Sequence, residues 1–547
     1  MDSIFKGARV AAVAATLVTQ IASAATTPPT TILYGGGATF PSEAYIGSSF
    51  LLSAIATGKA ARLSQTVGVP APNTYNPADT TTVAPADKGS LFGAFAALNP
   101  TIGVSYCQTG SGTGKGVIVG GRNATTVCGD YGASSSNGFS APTAQANFAG
   151  TDAPLTQTEI NSFNSSVDRG AAYGQPVQLP YVAGSIAVIY NNTSLGKKKL
   201  NLTRSDICGI FSGRITNWDQ LTNTPKLTIA SKPIKLIYRS DSSGTTFSFT
   251  NFLTQVCPTL SLPGDVAFDK FQMTQTFNTA FLTGASLPAG AIGASGNGGV
   301  ITAVNDGAND GAISYADVAD AVARAKLGNA SLSFATVSYA ADQAKEALVI
   351  GPGESATCKT GGVVKDKATG QLVPVPNPIV NTSTTKPLKF SCPAIVYNKL
   401  DPTKNVVLKG ATGVAVTASA ATVLGSVNTT TGRISSIAST GLPTETAACV
   451  QTVDPAAYAE PATALTKKAA RDYGVYPVIA VSYLMGYNKG NGDKTEALKS
   501  LFKAGLASSS TLAKTKTIGK SSGFQPLALT LEGFASGSAL VDACITQ

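Results

Sequence analysis

The chain has 547 residues with 43% hydrophobic and only 13% charged, a net charge of +10 and no histidine. That balance excludes a disordered chain, and the missing histidine excludes Ser-His-Asp hydrolysis. Lysine and arginine are spread thinly, and the densest run, Lys197-Lys198-Lys199, has no interleaved aromatics. The positive charge therefore suits small anions and not nucleic acid.

Residues 1–24 read as a secretory signal, with Lys6 and Arg9 ahead of an apolar run and Ala22-Ser23-Ala24 at the cleavage site. No later stretch reaches the roughly 18 apolar residues of a membrane span. A soluble, exported protein, periplasmic or secreted and monomeric, is expected. Ile32-Leu33-Tyr34 forms a strand running into Gly35-Gly36-Gly37, and Pro41 with Glu43 suits the helix start that follows. Ile102 to Tyr106 is a second strand, ending at Gly110-Ser111-Gly112-Thr113-Gly114. Gly150-Thr151-Asp152-Ala153-Pro154 is another glycine turn, and Gln178 to Tyr190 is apolar enough for a buried strand.

Ser205-Asp206 can start a helix carrying Ile207, Ile210 and Phe211. Lys235 to Tyr238 reads as a strand delivering Arg239 to its end. Thr245 is the expected N-cap of a helix whose Phe249, Phe252, Leu253 and Val256 recur at helical spacing. Residues 346–470 are rich in Thr, Val, Gly and Pro and read as an inserted β-rich region. From Tyr476-Pro477-Val478-Ile479 the α/β alternation resumes, with helices expected over Lys494 to Leu506 and Leu531 to Cys544. Eight cysteines without histidine or a CxxC spacing point to disulfides and not to a metal. Chain order suggests Cys107–Cys128, Cys208–Cys257, Cys358–Cys392 and Cys449–Cys544, with connectivity left open. No cofactor or metal is expected.

Four hydroxyl-bearing glycine segments carry the chemistry: Gly36 to Pro41, Gly110 to Gly114, Gly150 to Pro154, and Arg239 to Thr245. Glycine turns let backbone N–H groups approach a ligand, hydroxyls add adjustable donors, and helix N-termini add positive potential. Arg239 can fork onto two oxygens of an oxyanion. Asp152 is the informative exception. A carboxylate beside an anion repels it unless the anion carries a proton, as phosphate does near neutrality and sulfate does not.

These segments, with Ser205 to Trp218 and Tyr238 to Phe247, resemble the phosphate-binding protein of the Pst ABC transporter and its secreted relatives, the DING proteins. The resemblance covers residues 31–345 and 471–547. It implies a two-lobed α/β periplasmic-binding-protein-like fold of type II, hinged to close on inorganic phosphate. The implied division is lobe 1 over 31–180 and 471–547, lobe 2 over 181–345, and the β-rich insertion over 346–470. By matching positions, the resemblance implies phosphate contacts from Thr39, Phe40, Ser111, Asp152, Arg239, Ser243, Gly244 and Thr245. Asp241 would hold the Arg239 fork, with a plain turn aspartate as the alternative, and Lys115 would add charge nearby. A transporter permease is the implied partner.

Other readings compete. Gly112-Thr113-Gly114-Lys115 fails as a nucleotide P-loop, because Thr109 stands at the first glycine and Gly116 where a Ser or Thr should bind magnesium. A secreted DING-like phosphatase using Ser111 or Ser243, with Asp152 as the base, is the enzymatic alternative. A surface or adhesive protein using residues 346–470 is the third.

Overall fold

The computed structural model describes residues 30–48, 61–63, 84–120, 146–221, 229–257, 271–282, 286–326, 332–357, 363–365, 372–374, 378–403, 416–418, 422–427, 434–438, 449–453, 476–519, 522–527, 529–531 and 536–547. The expected signal segment and the partners Cys128 and Cys358 of two suggested disulfides lie outside these residues.

Three parallel strands build the centre of the first lobe. β1 (Thr31–Gly37) is flanked by β2 (Ile102–Gln108) and β3 (Phe148–Thr151). Burial on both faces explains why β1 reads as a continuous apolar run and not as an alternating one. All three end at glycine-rich turns, so their loops meet at one edge, where open α/β sheets gather ligands. α1 (Ser111–Val119) starts directly after β2.

β4 (Pro176–Asn191) is buried along all 16 of its residues and belongs to both lobes. In the second lobe α2 (Arg204–Phe211) is followed by β5 (Lys235–Arg239), α3 (Gly244–Val256), β6 (Ile292–Ala294), α4 (Gly296–Asn305), β7 (Ala312–Asp317) and α5 (Val318–Lys326). β5 lies parallel to β6 and β7, and Ala312 to Asp317 pair antiparallel with Asn191 to Ile186 of β4. The other half of β4, Pro176 to Ser185, pairs with the returning strand Ile479–Tyr487, which also pairs with β3. The chain thus crosses between two α/β lobes within one strand, and the Ile186 N–H donates to the Val478 carbonyl at the crossing (2.9 Å).

Two groups of interlocking rings lie within one continuous buried core. Tyr45, Phe92, Tyr106, Phe148 and Tyr181 interlock under the first sheet. Phe249 stacks on Tyr315 at 4.4 Å in the second, with Phe211 and Phe277 against them. The disulfide Cys208–Cys257 ties α2 to the end of α3, and Cys449–Cys544 ties the helix Gly537–Cys544 to residue 449, inside the 346–470 region.

The described parts of 346–470 are mostly strand. The longest, Leu388–Leu400, pairs antiparallel with Thr336–Ile350, a strand that runs straight through position 345/346 and also pairs with Asn201–Thr203.

Three local expectations are corrected. α2 starts before Ser205, because Thr203 forms a capping box with Asp206. Thr245 is not the N-cap of α3. Ser243 takes that place with extended backbone, its hydroxyl accepting from the Thr246 N–H (3.1 Å). The stretch Leu531 to Cys544 is not one helix: Leu529–Leu531 is a strand, and Ser536 caps a helix over Gly537–Cys544.

Candidate anion-binding site

The loops after β1, β2 and β3 pack on one another. The Ala38 N–H donates to the Gly150 carbonyl (2.8 Å), and Thr109 and Gly110 both donate to the Gly37 carbonyl (2.9 and 2.7 Å). Gly110 holds φ +95°, a region that side chains disfavour, and this turns the chain sharply into α1. The Tyr106 hydroxyl donates to the Ala38 carbonyl (2.7 Å), bracing the turn that carries half-buried Thr39 and buried Phe40. The Phe40 ring lies edge-on to Phe524, 5.3 Å away, beside the shared strand.

Ser111 and Asp152 meet at the centre. The Ser111 hydroxyl donates to Asp152 Oδ2 (3.0 Å) and accepts from the Asp152 N–H (3.1 Å). Asp152 is 2% exposed, and its Oδ1 has no hydrogen-bond partner. Burial pushes its carboxyl up to about 7, with Ser482, Ser111 and the Arg239 charge pulling the other way.

From the second lobe, α3 aims its N-terminus at this pair. Gly244 packs directly on Ser111 and Asp152, so no larger residue fits there without displacing them. The Gly112 N–H donates to the Ser242 carbonyl (3.2 Å), so the lobes touch backbone to backbone. Thr245 is buried with its Oγ1 unpartnered.

Arg239 is 1% exposed and held from two sides. Its Nε and Nη2 donate to Asp241 (2.7 and 2.5 Å), and Nη1 donates to Asn297 Oδ1 (3.0 Å). Asp241 also accepts from the Gly296 N–H (2.9 Å). Burial works to raise Asp241, but the Arg239 charge and hydrogen bonds outweigh it and hold the carboxyl below its usual range. A guanidinium has five N–H donors, so two remain, on Nη1 and Nη2. Lys115 behaves differently. Its ammonium contacts Glu159 (2.8 Å), the Pro154 carbonyl and Gln275 Oε1 (both 3.2 Å). Its three donors are thereby engaged within the protein, two in the first lobe and one across to Gln275 of the second.

The structure thus gathers Ser111, Asp152, Ser243, Gly244 and Thr245 at one contact between lobes. Arg239 and Asp241 stand beside it through Ser242, and Thr39 and Phe40 lie in the adjoining turn. Sequence reading missed Asn297, Ser482 and Gln275. The first had a usable signal, since Gly296-Asn297-Gly298-Gly299 follows β6 as another strand–glycine–helix unit. Ser482 and Gln275 carry no such local mark. Among the described residues no group of acidic or cysteine side chains could hold a metal ion, and no helix is long and apolar enough to cross a membrane.

A family model described as a PBP superfamily domain matches residues 78–388. Alkaline phosphatase L of Pseudomonas aeruginosa is 34% identical over 212 residues, covering 39% of this chain and 48% of that protein. A phosphate-binding protein from an unknown prokaryotic organism is 37% identical over 164 residues, covering 30% of this chain and 40% of that one. The chain thus matches about half or less of these relatives' length. The crystal structure of an ancestral soluble variant of the human phosphate binding protein shares the fold at a TM-score of 0.50 and 22% identity, covering 94% of this chain and 97% of that one.

Proposed function

The chain belongs to the PBP superfamily, and from that premise we propose that it binds one inorganic phosphate ion between its lobes without chemically changing it. One observation carries the reading: the Asp152 carboxylate is buried against Ser111 and Gly244, and its Oδ1 has no partner. A site of donors alone would take any small oxyanion. A single acceptor selects an anion that brings a proton. In this reading Ser111, Ser243, Gly244, Thr245 and the two spare N–H groups of Arg239 surround the ion, with Thr39 and Phe40 closing it from the first lobe. Asp241 keeps the guanidinium turned toward it. Relatives named phosphate-binding protein support the choice of anion.

The same reading makes residues 31–180 and 471–547 one lobe, 181–345 the other, and 346–470 an insertion, with 182–185 of the shared strand still paired to the first lobe's returning strand. It makes the protein an exported, monomeric receptor that hands phosphate to a membrane permease. The leader-like residues 1–24 and two disulfides support export. Titration calorimetry of the full chain with phosphate and with sulfate tests the proposal. Tight phosphate binding and weak sulfate binding are expected, and equal affinity for the two would overturn it.

A second reading has its own observation. Ser111 donates to a carboxylate whose pKa near 7 suits a general base, and relatives named alkaline phosphatase L match this chain. Metal-independent turnover of a phosphate ester, abolished by Ser111→Ala, would favour hydrolysis over simple binding.

A further inference from the structure

We infer that Asn297 touches the bound anion itself, its carboxamide oxygen aiming Arg239 while its NH2 group donates to a phosphate oxygen. The inference rests on reading the cleft as a phosphate site. Asn297 is the second residue of α4, 1% exposed, and its Oδ1 accepts from Arg239 Nη1 at 3.0 Å. Its Nδ2 has no partner.

Capping does not explain the side chain, since Ser295 is the N-cap of α4 and no side-chain bond closes that end. Orienting Arg239 explains only the oxygen. A buried NH2 group left unpaired is costly, and folded proteins retain few of them. The two heteroatoms of a carboxamide share one carbon. With the oxygen on Nη1, the nitrogen is held one carboxamide width from a guanidinium that keeps one N–H group on each Nη. Those free groups are the ones the phosphate reading gives to the anion, so one ion can satisfy Arg239 and Asn297 together. Asp241 completes the frame: it binds Arg239 Nε and Nη2 and also the Gly296 N–H, so β5, its loop and α4 fix each other.

Asn297→Asp decides the matter, because it keeps an acceptor for Arg239 but turns the donor into a negatively charged acceptor. Calorimetry with phosphate on wild type, Asn297→Ala and Asn297→Asp is the experiment. The alanine variant should bind about tenfold more weakly and the aspartate variant about 100-fold or more. An aspartate variant that binds as well as or better than the alanine variant overturns the inference. A second readout needs no substitution to fold well. In 15N-labelled wild type, the side-chain NH2 pair missing from the Asn297→Asp spectrum should shift when phosphate is added, and no shift overturns the inference. If wild type fails to bind phosphate, the cleft reading itself falls. If wild type binds while Asn297→Asp is unaffected, only the role of Asn297 falls.

Discussion

Gly244 faces Asp152 across the lobe boundary with no space for a side chain: a methyl on its Cα would stand 2.5 Å from Asp152 Cβ and 2.7 Å from Asp152 Oδ2. The first residue of α3 thus sets how closely the second lobe can approach the first. Gly244→Ala should favour the helix itself, since alanine is the better helix former. It should nevertheless hold the lobes apart and lower phosphate affinity by about 100-fold, near 2.7 kcal/mol. Calorimetry beside a thermal melt checks this. Affinity loss with an unchanged or raised melting temperature is expected, and unchanged affinity would contradict the packing argument.

In the proposed site, Asp152 should make anion selectivity depend on pH. With burial placing its carboxyl near 7, it is an acceptor above that pH and increasingly an O–H donor below it. Sulfate should therefore compete poorly at pH 8 and progressively better toward pH 5. In Asp152→Asn, whose amide can donate at any pH, sulfate competition should be strong and flat. Competition of sulfate against labelled phosphate across that range measures it.

The same shift has a stability consequence. Between the ordinary aspartate pKa and about 7, the folded chain holds a proton at Asp152 that the unfolded chain releases. Folding is therefore favoured at the acid end of this window, and the contribution is lost as pH rises through it. Ligand-free wild type should lose melting temperature relative to Asp152→Asn as pH rises from about 4 to 7. Parallel slopes for the two proteins would refute the burial of a shifted carboxyl.

Lys115 joins Glu159 and Pro154 of the first lobe to Gln275 of the second. Lys115→Met keeps the apolar stem and removes the latch. Phosphate dissociation should quicken by roughly tenfold, the worth of about one charged hydrogen bond, with little change in association. Stopped-flow kinetics separates the two rates, and an unchanged dissociation rate would remove Lys115 from the closure.

The Cys208–Cys257 bridge closes a sequence separation of 49 residues between α2 and α3. Replacing both cysteines by alanine should cost about 2–4 kcal/mol of stability, because the unfolded chain regains that loop's freedom. Urea unfolding of the second lobe checks it. Phosphate affinity at low denaturant should hold, since the bridge lies at the far end of α3 from Gly244.

Much of the frame was legible in the residues. Ile32 to Tyr34, Ile102 to Tyr106 and Lys235 to Tyr238 read as strands because buried parallel strands are apolar without alternation. The glycine turns after them read as turns because few other residues reach a backbone such as φ +95° at Gly110. Element ends were less legible. Thr203, Ser243 and Ser536 each compete as caps with neighbouring hydroxyl residues, and only the local backbone angle selects among them.

The sequence by itself determined the strand–turn–helix units, the lack of histidine chemistry and the lone carboxylate of the Gly150-Thr151-Asp152 turn, since these depend on residue type and near neighbours. The tertiary structure decided which polar atoms are spent within the fold and which remain. It turned Lys115 to Gln275, 160 positions away, set Asn297 against Arg239 at a separation of 58, and left Asp152 Oδ1 without a partner. Burial and distance between remote segments govern those outcomes, and no local pattern encodes either.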